Sequence, residues 1–146
     1  MTYPADELDA RLVGLFAAVN RRYARESEVA ATAQDLTPLQ AKALLYSAEP
    51  VPMRALAERL HAEPSNLTTL VDRLEERGLV ERRPGIEDRR VKLVAATDAG
   101  RRAIAELRSA MPFATDPFAA LDREQRETLG RLLALVAGET WPAGAP

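Results

Sequence analysis

The 146-residue sequence predicts a mainly α-helical single domain, spanning residues 1–146, with one small β-hairpin. Three observations support this fold class. Apolar residues recur every three or four positions through most of the chain, which is the periodicity of amphipathic helices. Prolines divide this pattern into separate helical blocks. Between residues 79 and 94 the pattern changes to a partial alternation around a Pro-Gly pair, which is typical of strand, turn and strand.

Two helices are predicted in the first third of the chain. The first covers about residues 6–24, because six apolar residues share one stripe: Leu8, Leu12, Leu15, Phe16, Val19 and Tyr23. The second begins at Pro38 and runs to about residue 48. Thr37 and Gln40 have the spacing of a capping box, and proline is favoured at the first position of a helix.

A pair of short helices follows. Pro52 can begin a third helix that ends near His61, and Pro64 begins a fourth that ends at Gly78, a residue suited to a left-handed terminator. Two short helices joined by a turn of about three residues have the spacing of a helix-turn-helix. The fourth helix would bury four apolar residues, Leu67, Leu70, Val71 and Leu74, and expose its polar side.

A β-hairpin comes directly after the helix-turn-helix, with strands over residues 79–83 and 89–94 around a turn at 84–88. A hairpin in this position is a wing, so the predicted architecture is a winged helix-turn-helix. Thr97 caps a further helix over about residues 98–111. Pro112 and Pro117 interrupt the tail, whose last apolar stripe consists of Leu121, Leu129, Leu132, Leu133 and Val136.

The composition excludes several classes of protein. The chain has no cysteine, which removes disulfides, thiolate metal sites, cysteine nucleophiles and thiol-based sensing. Its one histidine, His61, cannot supply the imidazoles of most transition-metal sites. We therefore expect no metal and no cofactor. Since no apolar run could span a membrane and the N-terminus carries no export signal, we expect a cytoplasmic location without membrane contact.

The charge distribution singles out the middle of the chain. The whole sequence has a formal net charge of −2, yet residues 54–102 carry +2 and each flank carries −2. Arginine supplies 18 of the 20 basic residues, and its planar guanidinium suits phosphate and guanine. A GC-rich genome would produce the same preference for arginine, so the location of the charge is more informative than the residue type.

The order of elements and three motifs together resemble the MarR family of winged-helix transcription regulators. The motifs are Leu79-Val80-Glu81-Arg82, Asp88-Arg89-Arg90 and Thr97-Asp98-Ala99-Gly100, and the strong similarity covers residues 36–107. The resemblance implies that residues 36–107 form a DNA-binding lobe. It also implies that residues 5–30 and 108–140 form a helical lobe that joins two copies into a homodimer. Pro112 and Pro117 depart from the long helix that usually follows the wing in this family.

Five residues on the exposed side of the fourth helix are candidate major-groove contacts: Ser65, Asn66, Thr68, Thr69 and Arg73. Residues near the N-terminus of a recognition helix reach base edges, where asparagine pairs with adenine and arginine with guanine. The alternative is structural. Ser65 would then assist the helix start, and Arg73 would pair with Glu76 one turn later. The wing behind the helix favours DNA contact.

The candidate wing contacts are Arg83, Asp88, Arg89, Arg90 and Lys92. Arginine at a hairpin tip can enter a narrow minor groove. The resemblance places that role at Arg90, with Asp88 bracing the tip through a charge-assisted hydrogen bond. The alternative is a solvated charged hairpin.

Three further polar residues have less specific interpretations. Gln40 and Arg54 are candidate phosphate contacts, with surface or capping roles as the alternative. His61 ends an apolar helix, and we expect it to be a partly buried packing residue.

The favoured function is therefore sequence-specific binding of a double-stranded DNA operator of pseudo-palindromic sequence. Repression is the expected outcome. The resemblance implies release by a small-molecule effector lodged between the dimer lobe and the winged lobe. An enzyme is not expected, since no nucleophile elbow, phosphate-binding loop or dinucleotide fingerprint is present. The alternative function is a winged-helix protein-interaction module without DNA binding.

Overall fold

The computed structural model describes residues 7–142, so residues 5 and 6 of the predicted N-terminal lobe lie outside the described part. Within it are seven helices and one three-stranded antiparallel sheet, which confirms the predicted fold class. In chain order the elements are α1 (Glu7–Ala33), α2 (Pro38–Tyr46), β1 (Val51–Pro52), α3 (Met53–Leu60), α4 (Pro64–Glu76), β2 (Val80–Pro84), β3 (Lys92–Ala96), α5 (Asp98–Ala110), α6 (Pro112–Thr115) and α7 (Arg123–Ala137).

Local hydrogen bonds explain where several helices begin and end. The Gln40 backbone N–H donates to Thr37 Oγ1 at 3.1 Å and the Thr37 N–H donates to Gln40 Oε1 at 2.9 Å, which completes the predicted capping box of α2. Thr97 Oγ1 accepts from the Gly100 N–H at 3.1 Å at the start of α5. Gly78 has φ +71°, as expected for the residue that terminates α4.

The sheet has the strand order β1-β3-β2. The pairing of β2 with β3 forms the predicted wing, with Val80 opposite Ala96 and Pro84 opposite Lys92. Strand β1 was not predicted, because it is only two residues long and is recognisable only by its pairing with β3, where Val51 lies opposite Val94.

The second wing strand begins later than the sequence predicted, at Lys92 rather than residue 89, so Arg89 and Arg90 lie in the turn. The Gly85 N–H donates to the Val91 carbonyl at 2.7 Å, which closes the turn around residues 85–91. A Cβ atom at Gly85 would lie 2.5 Å from the Asp88 carbonyl oxygen, so this close approach requires glycine.

One buried core runs from Ala30 to Met111 and contains the predicted inner residues of α4. Its most completely buried leucines are Leu44, Leu56, Leu67, Leu74 and Leu107. Each stabilises the fold by about 1.5–3 kcal/mol relative to an exposed leucine. The core thus fixes α4 and the wing against the rest of the chain.

The two long outer helices contrast with this core. In α1 only Ala30 and Ala31 are buried, and α7 has no buried residue. Both helices expose large apolar side chains, among them Leu8, Leu12, Leu15, Phe16 and Val19 on α1 and Leu132, Leu133, Leu135 and Val136 on α7. The described chain therefore leaves two extended apolar faces uncovered.

The region of Pro112 is broken, as the prolines predicted. Helix α5 ends at Ala110, and Pro112 is the first residue of the short α6. Helix α1 extends to Ala33, nine residues beyond its predicted end, and contacts α6: the Ala114 N–H donates to Glu26 Oε1 at 3.1 Å. The Arg22 guanidinium also lies 4.1 Å from the centre of the Phe113 ring. No helix within residues 7–142 is long and apolar enough to cross a membrane.

Candidate nucleic-acid interface

The exposed side of α4 presents all five residues predicted to face the major groove. Ser65, Asn66, Thr68, Thr69 and Arg73 are exposed, together with Asp72 and Glu76; we call these seven residues the recognition arc. The hydroxyls of Thr68 and Thr69 donate to backbone carbonyls one turn earlier, at 3.0 and 3.3 Å. The ion pairs found within residues 7–142 do not include Arg73, so the alternative pairing with Glu76 is not observed.

A contact that sequence reasoning missed joins the recognition arc to the wing. Arg82 on β2 places Nη1 3.0 Å from Glu75 Oε1 and Nη2 2.5 Å from Asp72 Oδ1. Its backbone N–H donates to Glu75 Oε2 at 3.1 Å. The signal available in the sequence was two carboxylates three positions apart on one helix, followed by a strand with an arginine. Their pairing depended on how β2 turns back along α4.

The wing turn holds Arg90 against Asp88, the contact expected from the resemblance. Arg90 donates to the Asp88 carboxylate from its backbone N–H at 3.0 Å, from Nε at 3.2 Å and from Nη2 at 3.3 Å. The side-chain hydrogen bonds of Arg90, and then its backbone N–H, lower the pKa of Asp88. The Arg90 side chain is nevertheless 92% exposed. Its charge is therefore oriented at the tip of the hairpin and open to a ligand.

The other wing candidates differ in their surroundings. Arg83 is partly exposed and donates from Nε to Glu81 Oε1 at 2.6 Å. Arg89 and Lys92 are exposed on the same hairpin. The wing therefore combines one arginine paired along its own strand, one braced by the turn, and two basic residues on its exposed surface.

Three candidate polar residues have clear structural surroundings. Gln40 completes the capping box of α2. The exposed Arg54 places its Nε 3.7 Å from Oε1 of Glu58, one turn later on α3. The expectation for His61 was wrong: it is exposed and left-handed, with φ 50° and ψ 41°, because it ends α3 instead of packing beneath it. Within residues 7–142, no three acidic or histidine side chains form a group able to hold a metal ion.

A cavity of about 460 Å³ lies where α1, α2, α3, α5 and α6 meet; we call it the stem cavity. Tyr23 and Met111 line it, together with three basic residues, Lys42, Arg59 and Arg108, and one acidic residue, Glu49. The Arg59 guanidinium stacks on the Tyr46 ring at 4.0 Å, a contact that holds the charged group in place.

A polar recognition arc beside a basic hairpin defines this chain as a winged helix-turn-helix protein. The comparison with known families agrees: residues 36–92 match the model of the MarR family. This match confirms the resemblance drawn from the sequence over residues 36–92. MarR family transcriptional regulators are generally non-enzymatic.

Solved structures of similar fold cover almost the whole chain. CouR from Rhodococcus jostii RHA1, bound to p-coumaroyl-CoA, is 27% identical with a TM-score of 0.69; the match covers 97% of this chain and 99% of CouR. A MarR family regulator from Rhodococcus sp. RHA1 is 28% identical with a TM-score of 0.65, covering 94% and 99%. A mutant MarR from E. coli complexed with operator DNA is 26% identical with a TM-score of 0.61, covering 90% and 98%. Among curated proteins, no sequence matches this chain.

Proposed function

We propose that this protein is a sequence-specific, double-stranded DNA-binding transcriptional regulator of the MarR type. The observation that carries the proposal is the exposed polar arc of α4 beside a wing whose Arg90 is both oriented by Asp88 and open to solvent. Ser65, Asn66, Thr68, Thr69 and Arg73 contact the major groove. Arg83, Asp88, Arg89, Arg90 and Lys92 form the wing contact, and Gln40 and Arg54 are candidate phosphate contacts. The DNA-bound E. coli MarR supports this function.

The protein acts as a homodimer through its outer helices. Large apolar side chains on α1 and α7 are exposed, such as Phe16 at 60% and Val136 at 85%, and extended apolar faces mark interaction surfaces. The proposed dimerisation lobe is residues 5–30 and 108–140, of which the structure describes 7–30 and 108–140, and the proposed DNA-binding lobe is residues 36–107. A symmetric pair would place its two α4 helices in successive major grooves about 34 Å apart, on a pseudo-palindromic operator.

Repression follows from a dimer that obstructs the polymerase, and an effector releases it. The stem cavity, between α1 and α6 on one side and α2, α3 and α5 on the other, supports an effector site. Lys42, Arg59 and Arg108 outnumber Glu49 at its wall, so the favoured effector is an organic anion with an apolar body. Such a molecule acts by binding more tightly to the dimer when its two α4 helices are at one separation than when they are at another. CouR, in its solved structure, holds p-coumaroyl-CoA.

The proposed function is tested with the purified full chain and fragments of its source genome. Bound fragments should share a pseudo-palindromic site, and log affinity for that site should fall linearly with log salt concentration, since phosphate neutralisation releases counterions. A stable monomer with no affinity for any duplex at low salt would overturn the proposal. Salt-insensitive capture of a protein partner, without DNA binding, would support the interaction-module alternative.

A further inference from the structure

We infer that Arg82 is a positioning residue for DNA recognition: it clamps the wing onto α4 and neutralises two carboxylates, Asp72 in the recognition arc and Glu75 beside it. The inference rests on the proposed function and adds a residue outside the predicted contact set. Arg82 is 22% exposed, compared with 47% for the neighbouring Arg83 and 92% for Arg90. It is thus the most enclosed arginine of the three.

The clamp has four connections. The guanidinium contacts Asp72 and Glu75 at 2.5 and 3.0 Å, and Nη2 also lies 3.5 Å from the Thr68 carbonyl oxygen. The backbone N–H of Arg82 donates to Glu75 at 3.1 Å. Side chain and backbone of one β2 residue are therefore both tied to α4. Since β2 leads directly into the wing turn, this connection sets where Arg90 lies relative to the recognition arc.

The charges make a second contribution. Asp72 lies one helical turn after Thr68 and Thr69, so it shares the face that would meet DNA. The Asp72 and Glu75 side chains remain 53% and 42% exposed. An uncompensated carboxylate within one Debye length of the phosphates, about 8 Å at physiological salt, repels them. The Arg82 guanidinium offsets this repulsion. Because it is already paired with Asp72 and Glu75, it is less available to bind phosphate itself.

Arg82 therefore differs in role from the neighbouring arginines of the hairpin, which are proposed to contact DNA directly. If Arg82 contacted a phosphate directly, its removal would weaken DNA binding whatever the neighbouring charges are. A positioning and neutralising residue loses less when the carboxylates are removed as well. The same substitution should also loosen the wing in the free protein.

The first experiment compares operator affinity at fixed salt for Arg82→Gln, for the double variant Asp72→Asn with Glu75→Gln, whose amide oxygens can still accept hydrogen bonds from Arg82, and for the triple variant. We expect Arg82→Gln to weaken binding at least tenfold, and the double variant measures what the two carboxylates contribute to binding on their own. The triple variant should recover at least half of the loss on a logarithmic scale. A triple variant as weak as Arg82→Gln would overturn the neutralising role.

The second experiment needs no DNA and uses Arg83→Gln as the matched control. Hydrogen exchange at the amides of β2 and β3 should be at least threefold faster in the free Arg82→Gln protein and unchanged in the control. Equal exchange in the two variants would overturn the clamp. If the natural chain binds no duplex, the proposed function fails, while the exchange comparison still decides whether Arg82 fixes the wing.

Discussion

Replacement of Arg90 by alanine is the sharpest test of how the wing would act on DNA. In the free protein the Arg90 side chain is 92% exposed and contacts Asp88 in the same turn. Exposed ion pairs contribute little to folding stability. The substitution should therefore leave the melting temperature almost unchanged, so that any loss of DNA binding reports on recognition and not on unfolding.

The size of the loss follows from the symmetry of the complex. A dimer on its operator would lose two arginine contacts, one at each wing. At about 1 kcal/mol for each contact, the lower end for arginine at DNA, the total is about 2 kcal/mol, which corresponds to about a 30-fold weaker affinity. Because this contact reads groove shape and charge, the loss should be similar on the operator and on unrelated duplexes.

Fluorescence anisotropy with labelled operator and scrambled duplexes, across a salt series, measures this effect. Asn66→Ala is the matched variant, because it should relax the preference at one base position and spare non-specific binding. Unchanged affinity in Arg90→Ala would refute the role of the wing. Equal, sequence-blind losses in both variants would contradict the separate roles assigned to α4 and the wing.

Three further predictions concern assembly, folding and charge. Phe16→Glu places a charge on the exposed apolar face of α1 and should yield a helical monomer in sedimentation experiments; a persistent dimer would count against this interface. Gly100→Ala would bring a Cβ atom to 1.9 Å from a backbone carbonyl oxygen and should destabilise the protein by about 1–3 kcal/mol in urea unfolding. A Cβ atom at Gly14 would meet nothing within 4 Å, so Gly14→Ala should stabilise α1 by up to about 1 kcal/mol. Equal changes in the free energy of unfolding for Gly14→Ala and Gly100→Ala would refute the packing argument. The lowered pKa of Asp88 means that its stabilising contribution is present above the unfolded pKa and is lost as pH falls through the folded pKa. In an NMR titration Arg90→Ala should raise this pKa, and no change would exclude Arg90 as the cause.

Local signals were sufficient for the helical framework and for the placement of most candidate contacts. The capping box of Thr37 and Gln40 and the terminator Gly78 each depend on contacts within about four residues, so the sequence alone specifies them. The same holds for the inner face of α4, because helical periodicity assigns Leu67 and Leu74 to the core and leaves the polar residues outside.

Contacts between distant residues decided the rest. Strand β1 exists through its pairing with β3, more than 40 positions later, and the start of β3 at Lys92 depends on how the wing turn closes around Gly85. Helix α1 continues past its predicted end to Ala33, and in this added part Ala30 and Ala31 are buried. The left-handed conformation of His61 places that residue at the surface, although the apolar pattern of α3 indicated packing.

The sequence by itself thus determined which segments are helical, where the wing lies and which residues of α4 face outward, because hydrogen bonds and hydrophobic periodicity along one helix are local. Only the tertiary structure decided that Arg82 is held by Asp72 and Glu75 and that several basic residues gather around the stem cavity. Both arrangements depend on distances between separate helices and strands, and those distances are set when the core packs.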